Sequence, residues 1–293
     1  MATLEKIDIG IVGGSGFYNM EELTDRREVE VETPYGKPSD SFLVGRLGGK
    51  TVAFLARHNR KHHILPTELN FRANIYAFKQ LGARYLISAS AVGSLKEAYA
   101  PTHFVFPDQF IDRTRHRVDT FFGEGIVAHV SLAEPICTYL QKTLYNAARE
   151  IGVNTHLGGT YVNMEGPQFS TRAESFMYRS WDADVIGMTN LQEAKLAREA
   201  EIPYATIAMV TDYDCWHEEE EHVTVDMVVK ILRQNAEAAA ATIAKAVTLI
   251  DLDHVNPIHE ALKFSILTQA ENVPAERKQA LAAIIGKYMD TDS

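Results

Sequence analysis

The chain has 293 residues, of which 46% are hydrophobic, so it is long and apolar enough to fold around a core of its own. Its 29 basic and 39 acidic residues give a formal charge of −10, which argues against a nucleic-acid binder, because phosphate backbones require clustered Lys and Arg. Two cysteines exclude a disulfide framework and a four-cysteine zinc site. The absence of a long apolar run and of a signal-peptide pattern predicts a cytoplasmic protein without membrane contact.

Short apolar runs typical of buried strands alternate with longer stretches of helical periodicity. The predicted strands are 7–12, 51–55, 85–89 and 204–210. The predicted helices are 68–81, 132–151, 171–181, 191–200, 224–250, 257–270 and 274–289. Thr171 and Asn190 each precede a Glu by three residues, which predicts helix N-caps. The alternation predicts an α/β fold with a mixed central sheet flanked by helices, as one domain over 1–252 with a helical C-terminal extension over 253–293.

Three motif-like segments fail when their spacing is counted. The segment 14–19 lacks the third glycine of a dinucleotide fingerprint. The segment 44–51 has one P-loop glycine out of place, and its strand-like flanks favour a hairpin turn. His217 and His222 are five residues apart, whereas two zinc-binding histidines on one helix face are four apart. None of these three segments therefore predicts a nucleotide site or a metal site.

Three segments at strand ends have the chemistry of an anion site. Glycines at 13–16 expose backbone N–H groups beside the Ser15 hydroxyl, and Arg57-His58 brings a guanidinium next to an imidazole. Small residues at 88–95 would let a ligand approach the backbone closely. Each segment taken alone is also compatible with an ordinary turn or solvated loop. Together they predict one crevice, because open sheets bind ligands beyond the carboxyl ends of their strands.

An acidic pair, Asp212 and Asp214, follows the strand predicted at 204–210. A carboxylate at a strand end in a partly apolar pocket can take a raised pKa and donate a proton. Metal binding and a purely structural cap are the alternatives that this pattern leaves open.

Several motifs in order resemble one known family, the trimeric purine nucleoside phosphorylases. They are the segments 9–16, 34–40, 56–58, 163–174 and 187–189. The segment 208–216 resembles the branch of that family that uses 5′-methylthioadenosine, and the likeness spans about residues 7–250. The resemblance implies a homotrimer in which a neighbouring subunit completes the 5′ pocket. It also implies inorganic phosphate as co-substrate, with no metal and no organic cofactor.

The resemblance assigns roles residue by residue. The implied phosphate site consists of Ser15, Arg57, His58, Ser90 and Thr189, with Ala91 lining it. The implied nucleoside site has Met188 under the ribose, Phe169 facing the base, and Asp212, Tyr213 and Asp214 along the polar edge of the base. Val225 and Val229 would form the apolar pocket for the methylthio group.

Two positions bear on the identity of the base. Relatives that use guanosine and inosine have Asn in place of Asp212 and Glu in place of Ser170. A carboxylate suits the amino group of adenine, whereas facing the oxygen of a 6-oxopurine it would leave two acceptors unpaired, at a cost of about 1–3 kcal/mol. The pattern therefore predicts an adenine nucleoside.

The implied activity is phosphorolysis of 5′-methylthioadenosine to adenine and 5-methylthioribose 1-phosphate, in purine and methionine salvage, with Asp212 as proton donor to N7. Asn59, Gly187 and the pair Leu191-Gln192 depart from the usual family residues. Because Gly187 lacks the side chain of the more common Asn, methylthioinosine or general purine nucleoside phosphorolysis stays as an alternative. A non-catalytic nucleotide-binding protein is the alternative from another class.

Overall fold

The computed structural model describes residues 6–14, 20–217 and 225–289, with only the backbone considered over 225–229. Within these ranges the strands are β1 (Ile9–Gly13), β2 (Thr24–Val29), β3 (Phe42–Leu47), β4 (Lys50–Ala56), β5 (Tyr85–Ser94), β6 (Phe104–Phe106), β7 (Gln109–Arg113), β8 (Thr155–Leu157), β9 (Thr160–Met164), β10 (Val185–Gly187) and β11 (Tyr204–Asp212). The helices are α1 (Phe71–Gln80), α2 (Thr138–Glu150), α3 (Arg172–Ser180), α4 (Asn190–Glu199), α5 (Val225–Leu249), α6 (Ala275–Ala280) and α7 (Ala282–Ile285).

The strands form one mixed sheet, as the sequence predicts. Its main path runs β2-β3-β4-β1-β5-β10-β9-β7, and β11 branches from β5 to carry β6 and β8. The central strands β4, β1, β5 and β11 are parallel to one another, whereas β3, β6 and β10 run antiparallel to β4, β11 and β5. All five residues of β1 are buried, because helices cover both faces of a parallel sheet. The parallel centre brings four carboxyl ends to one edge of the sheet.

Most predicted elements are confirmed with small shifts of their ends. The predicted hairpin at 44–51 is the turn between β3 and β4, in which Gly48 and Gly49 take φ values of +55° and +82° that favour glycine. Thr171 caps α3 by accepting from the Glu174 N–H, while the Glu174 carboxylate accepts from the Thr171 N–H. Helix α5 spans Val225–Leu249, within one residue of both predicted ends.

Two local predictions are wrong, and the single helix predicted at 274–289 is divided at Leu281 into α6 and α7. Asn190 lies inside α4 rather than capping it, since the N-cap is Thr189 and the Asn190 amide is engaged in a buried network. The segment 257–270 is not a helix: only Pro257–Glu260 forms a short 3-10 turn, and Ile266 then bridges Ala128 in an antiparallel contact. Pairing with a distant segment replaced the local helical hydrogen bonds that the periodicity predicted.

The C-terminal extension packs onto the rest of the chain through buried polar contacts. The Glu201 carboxylate accepts from the Leu262 N–H at 2.9 Å and the Tyr288 hydroxyl at 2.6 Å, and it pairs with Lys287 Nζ at 2.7 Å. Arg277 pairs with Glu124 at 2.7 Å. The proposed boundary between 1–252 and 253–293 stays a prediction. No helix among the described residues is long and apolar enough to cross a membrane.

Glu199, at the end of α4, makes stability depend on pH. Its carboxylate accepts from Thr120 Oγ1 at 2.7 Å and the Phe121 N–H at 2.6 Å, and burial raises its pKa from 4.5 to about 7. The folded chain therefore holds this proton more tightly than the unfolded chain does, and the resulting stability is lost as pH rises from about 4.5 through about 7. We expect Glu199→Gln to be more stable than the parent protein at pH 8, by about 3 kcal/mol, with the difference vanishing near pH 5. Urea unfolding at both pH values tests this, and an equal difference at both would contradict it.

Candidate active site

Four polar segments meet at the carboxyl edge of the central strands. Gly13 of β1 pairs with Ala56 of β4, which places Gly14 beside Arg57 where the two strands end. Ser90 of β5 pairs with Ala208 of β11, and β11 ends at Asp212. The parallel register thus brings together segments that lie far apart in sequence. Ser15, and the side chains of Val225 and Val229, lie outside the described residues.

Arg57 is 2% exposed, and most of its N–H groups donate to neighbouring residues. Its Nε and Nη2 donate to the two carboxylate oxygens of Glu193, with Nη2 at 3.1 Å from Oε2. Nη2 also donates to Ser88 Oγ at 2.6 Å, and Nη1 donates to the Ala89 carbonyl at 3.1 Å. Although burial by itself would lower the pKa of the guanidinium, the Glu193 carboxylate raises it overall. The two-pronged face of Arg57 is therefore directed at a carboxylate of this chain.

His58 is held in one orientation. Its Nδ1–H donates to the Ile64 carbonyl at 2.8 Å, which leaves Nε2 as the acceptor of the neutral ring. Burial, reinforced by the charge of Arg57, lowers its pKa from 6.5 to about 4. At neutral pH the imidazole therefore offers a hydrogen-bond acceptor and no charge.

Ser90 and Thr189 lie beside Arg57 through a buried network centred on Asn190. Ser90 Oγ donates to Asn190 Oδ1 at 2.5 Å, and Asn190 Nδ2 lies 2.8 Å from Ser88 Oγ, which also contacts Arg57. Thr189 is 5% exposed at the N-terminus of α4, where the positive end of the helix dipole favours an anion. Ala91 is exposed at the same edge. Arg57 and Ser90 are thus linked through Ser88 and Asn190, while Thr189 and Ala91 are the chain neighbours of Asn190 and Ser90.

The acidic pair lies at the end of β11 and is braced locally. Asp212 accepts from Thr211 Oγ1 at 2.7 Å through Oδ2 and from the Asp214 N–H at 2.8 Å through Oδ1. Burial raises the pKa of Asp214, and the neighbouring Asp212 carboxylate adds to the rise. Gly93 makes room for the pair, since a Cβ there would lie 3.1 Å from Asp212 Oδ1.

The predicted base-contacting residues are partly exposed. Phe169 is 84% exposed, and Ser170 lies near the acidic pair through its carbonyl, which is 3.3 Å from Cys215 Sγ. Tyr213 donates to the Glu97 carbonyl at 3.3 Å, and its ring stacks on His217 at 4.6 Å. Among the described residues, no group of three or more His, Cys, Asp or Glu is arranged to hold a metal ion.

Comparison with known proteins places the chain in a family. The family model described as "Phosphorylase superfamily" matches residues 8–248, which is most of the chain. The chain belongs to this superfamily.

Similar members of the superfamily cover almost the whole chain. It is 58% identical to an S-methyl-5′-thioadenosine phosphorylase of Koribacter versatilis, covering 96% of each chain. It is 57% identical to one of Thermosynechococcus vestitus, covering 96% of this chain and 99% of the relative. A methylthioadenosine phosphorylase from an Antarctic soil metagenomic library has a TM-score of 0.93 at 51% identity, covering 96% of this chain and 99% of that one. The Schistosoma mansoni enzyme in complex with adenine has a TM-score of 0.82 at 38% identity, covering 88% and 96%.

Sequence reasoning missed one buried cation of this phosphorylase, Arg117. Its Nε donates to Glu165 at 3.1 Å, Nη1 donates to Gln192 Oε1 at 2.8 Å and to the Met188 carbonyl, and Nη2 donates to the Glu165 carbonyl at 2.5 Å. Met188 is further packed against Gly166, where a Cβ would lie 2.5 Å from its sulfur. Arg117 thus fixes the backbone at Met188. Nothing in the polar run 114–117 distinguished this arginine from a solvated one.

The glycine at 187, which departs from the common family residue, has a partner in this phosphorylase. A Cβ on Gly187 would lie 1.8 Å from the hydroxyl of Tyr161, a residue that is fully buried in β9. The phenol therefore occupies the volume that a side chain at 187 would need. The glycine at 187 therefore fits the large Tyr161 side chain on the neighbouring strand β9.

Proposed function

We propose that the protein cleaves 5′-methylthioadenosine with inorganic phosphate, releasing adenine and 5-methylthioribose 1-phosphate. The observation that carries the proposal is the position of the Asp212–Asp214 pair at the same sheet edge as Arg57, Ser90 and Thr189. A proton donor to the base and an anion site for the nucleophile are the two parts that phosphorolysis needs. The names of relatives at 53–58% identity support the choice of substrate.

In the proposed reaction, phosphate binds among Ser90, Thr189, the N-terminus of α4 and one N–H of Arg57. The glycosidic bond lengthens, the sugar takes on oxocarbenium character, and the phosphate dianion stabilises that charge and then bonds to the anomeric carbon. Asp212 donates a proton to N7, so that adenine leaves as a neutral molecule, a contribution of about 10²–10⁴-fold. Met188 packs under the ribose, with its backbone held by Arg117. The reaction needs no metal and no organic cofactor.

We also infer that the protein works as a homotrimer in the cytoplasm. The ring of Phe264 is 89% exposed, and an exposed ring of this kind is often covered by another subunit. Both cysteines are free thiols, as is usual in a reducing compartment. Light scattering coupled to gel filtration would give the mass of the assembly, and a monomer would contradict the trimer.

The test is ultraviolet-monitored cleavage of methylthioadenosine, methylthioinosine, adenosine and inosine, each with and without phosphate. We expect phosphate-dependent adenine release that is fastest from methylthioadenosine. Adenosine should react more slowly, by roughly 10²-fold at most, because an apolar pocket rejects an added hydroxyl only weakly.

Two outcomes would favour the alternatives. Preference for methylthioinosine would keep phosphorolysis but overturn the assignment of Asp212 and Ser170 to adenine. Nucleoside binding without any phosphate-dependent turnover would favour a non-catalytic nucleotide-binding protein.

A further inference from the structure

Glu193 is a buried carboxylate for which the proposed reaction has no direct use. It lies in α4, its side chain is 2% exposed, and both its oxygens face Arg57. The Tyr204 hydroxyl and Ser88 Oγ each donate to Oε2 at 2.9 Å. Two neutral donors and a guanidinium therefore hold the carboxylate in one position.

The pairing with Glu193 leaves Arg57 with few free N–H donors for a ligand. A guanidinium has five N–H donors, and the partners of Arg57 among the described residues account for four of them. The remaining one belongs to Nη1. Arg57 can therefore position a phosphate oxygen with a single hydrogen bond, while its charge is balanced by Glu193.

The other cationic groups nearby are balanced as well. Arg117 pairs with Glu165, and the low pKa of His58 leaves its ring neutral at pH 7. The two described arginines at the proposed phosphate position are therefore each paired with a carboxylate, Arg57 with Glu193 and Arg117 with Glu165.

We propose that Glu193 is a positioning residue that keeps the phosphate site electrically neutral, so that bound phosphate is oriented without losing its negative charge. An unpaired arginine would bind phosphate more tightly, but it would also oppose the positive charge that develops on the sugar. The neutral pair weakens ground-state binding of phosphate and leaves the dianion able to stabilise the oxocarbenium ion. The interaction between phosphate and the site is thus stronger in the transition state than in the ground state, which raises kcat. This inference rests on the proposed function.

The test is Glu193→Gln, which keeps the shape and removes the charge. We expect phosphate to bind about tenfold more tightly, because it becomes the counter-ion of a buried arginine, and we expect kcat with methylthioadenosine to fall by about tenfold or more. Calorimetric titration with inorganic phosphate gives the affinity, and initial rates give kcat and the phosphate KM separately. A purely structural role for Glu193 would loosen Arg57 and weaken phosphate binding, so unchanged or weaker binding overturns the proposal.

Glu199→Gln is the matched control, because it makes the same change in a buried glutamate of the same helix that does not contact Arg57. Its phosphate affinity should equal that of the parent protein, and an equal tightening in both variants would contradict the proposal. Since an uncompensated buried charge destabilises the fold, Glu193→Gln should also gain more thermal stability from added phosphate than the control does.

Should Glu193→Gln fail to fold even in phosphate, Glu193→Asp is the second variant, and because it keeps the charge its phosphate affinity should stay close to that of the parent. Clearly tighter or weaker phosphate binding in Glu193→Asp would overturn the proposal, since the site would then respond to shape and not to charge. Wild-type turnover is measured separately: its absence would refute the proposed phosphorolysis, whereas the phosphate titrations test Glu193 directly.

Discussion

Asp212→Asn is expected to lower kcat for methylthioadenosine by about 10²–10⁴-fold while changing phosphate KM little. The amide keeps the volume of the carboxyl group and an oxygen that can accept from Thr211 or from the Asp214 N–H, but it has no acidic proton to give to N7. Steady-state rates with methylthioadenosine and phosphate varied in turn would measure both constants.

Asp214→Asn is the matched control for this change. Asp214 lies two residues away, and burial raises its pKa, so it is the competing candidate for the proton donor. If Asp212 is the donor, Asp214→Asn acts mainly on the KM of the nucleoside. A larger loss of kcat from Asp214→Asn than from Asp212→Asn would transfer the acid role to Asp214.

Gly187→Ala is expected to destabilise the protein by about 1–3 kcal/mol or more and to reduce turnover strongly. The new methyl group would meet the Tyr161 hydroxyl at 1.8 Å and the ring carbon that bears it at 2.6 Å. Tyr161 is fully buried and packs against Phe110, so the ring cannot turn away freely. Strain is then passed to Met188, the next residue, under the proposed ribose position. Urea unfolding and kcat/KM for methylthioadenosine measure the two effects.

The double variant Gly187→Ala with Tyr161→Leu tests whether this collision is the cause. Leucine removes the end of the ring, so the pair should recover most of the stability that Gly187→Ala loses. Tyr161→Leu alone leaves a cavity and serves as the reference for the cycle. Additive losses in the double variant would show that the two positions do not compensate for each other.

Most of the strands and helices could be predicted from the sequence, because hydrophobic periodicity is a local property of the chain. The runs at 9–13 and 204–212 contain few polar residues. A strand that is buried on both faces can therefore be recognised from its own residues, without knowledge of the strands that it pairs with. The Thr171–Glu174 cap is likewise a contact within one turn of helix. The helix predicted at 257–270 was wrong because pairing of Ile266 with Ala128, far away in sequence, decided its conformation.

Some residues of the candidate site could likewise be predicted from the sequence, and others could not. Arg57, Ser90, Thr189, Asp212 and Asp214 could be named from residue types at strand ends and from resemblance, since parallel strands bring such ends to one edge. Arg117, Glu193 and the fit of Tyr161 to Gly187 could not be named in this way. Each depends on a partner from 26 to 136 positions away, and a buried charge or a buried glycine looks ordinary until that partner is known.

The sequence by itself determined the α/β architecture, the edge of the sheet that carries the polar groups and the family of the chain. Only the tertiary structure decided how those groups are charged and oriented. The charge of Arg57 is balanced by Glu193, and the ring of His58 is neutral. The Tyr161 hydroxyl occupies the space that a side chain at position 187 would need. The physical reason is that hydrophobic periodicity is written along the chain, whereas desolvation, ion pairing and steric fit arise between segments that only folding brings together.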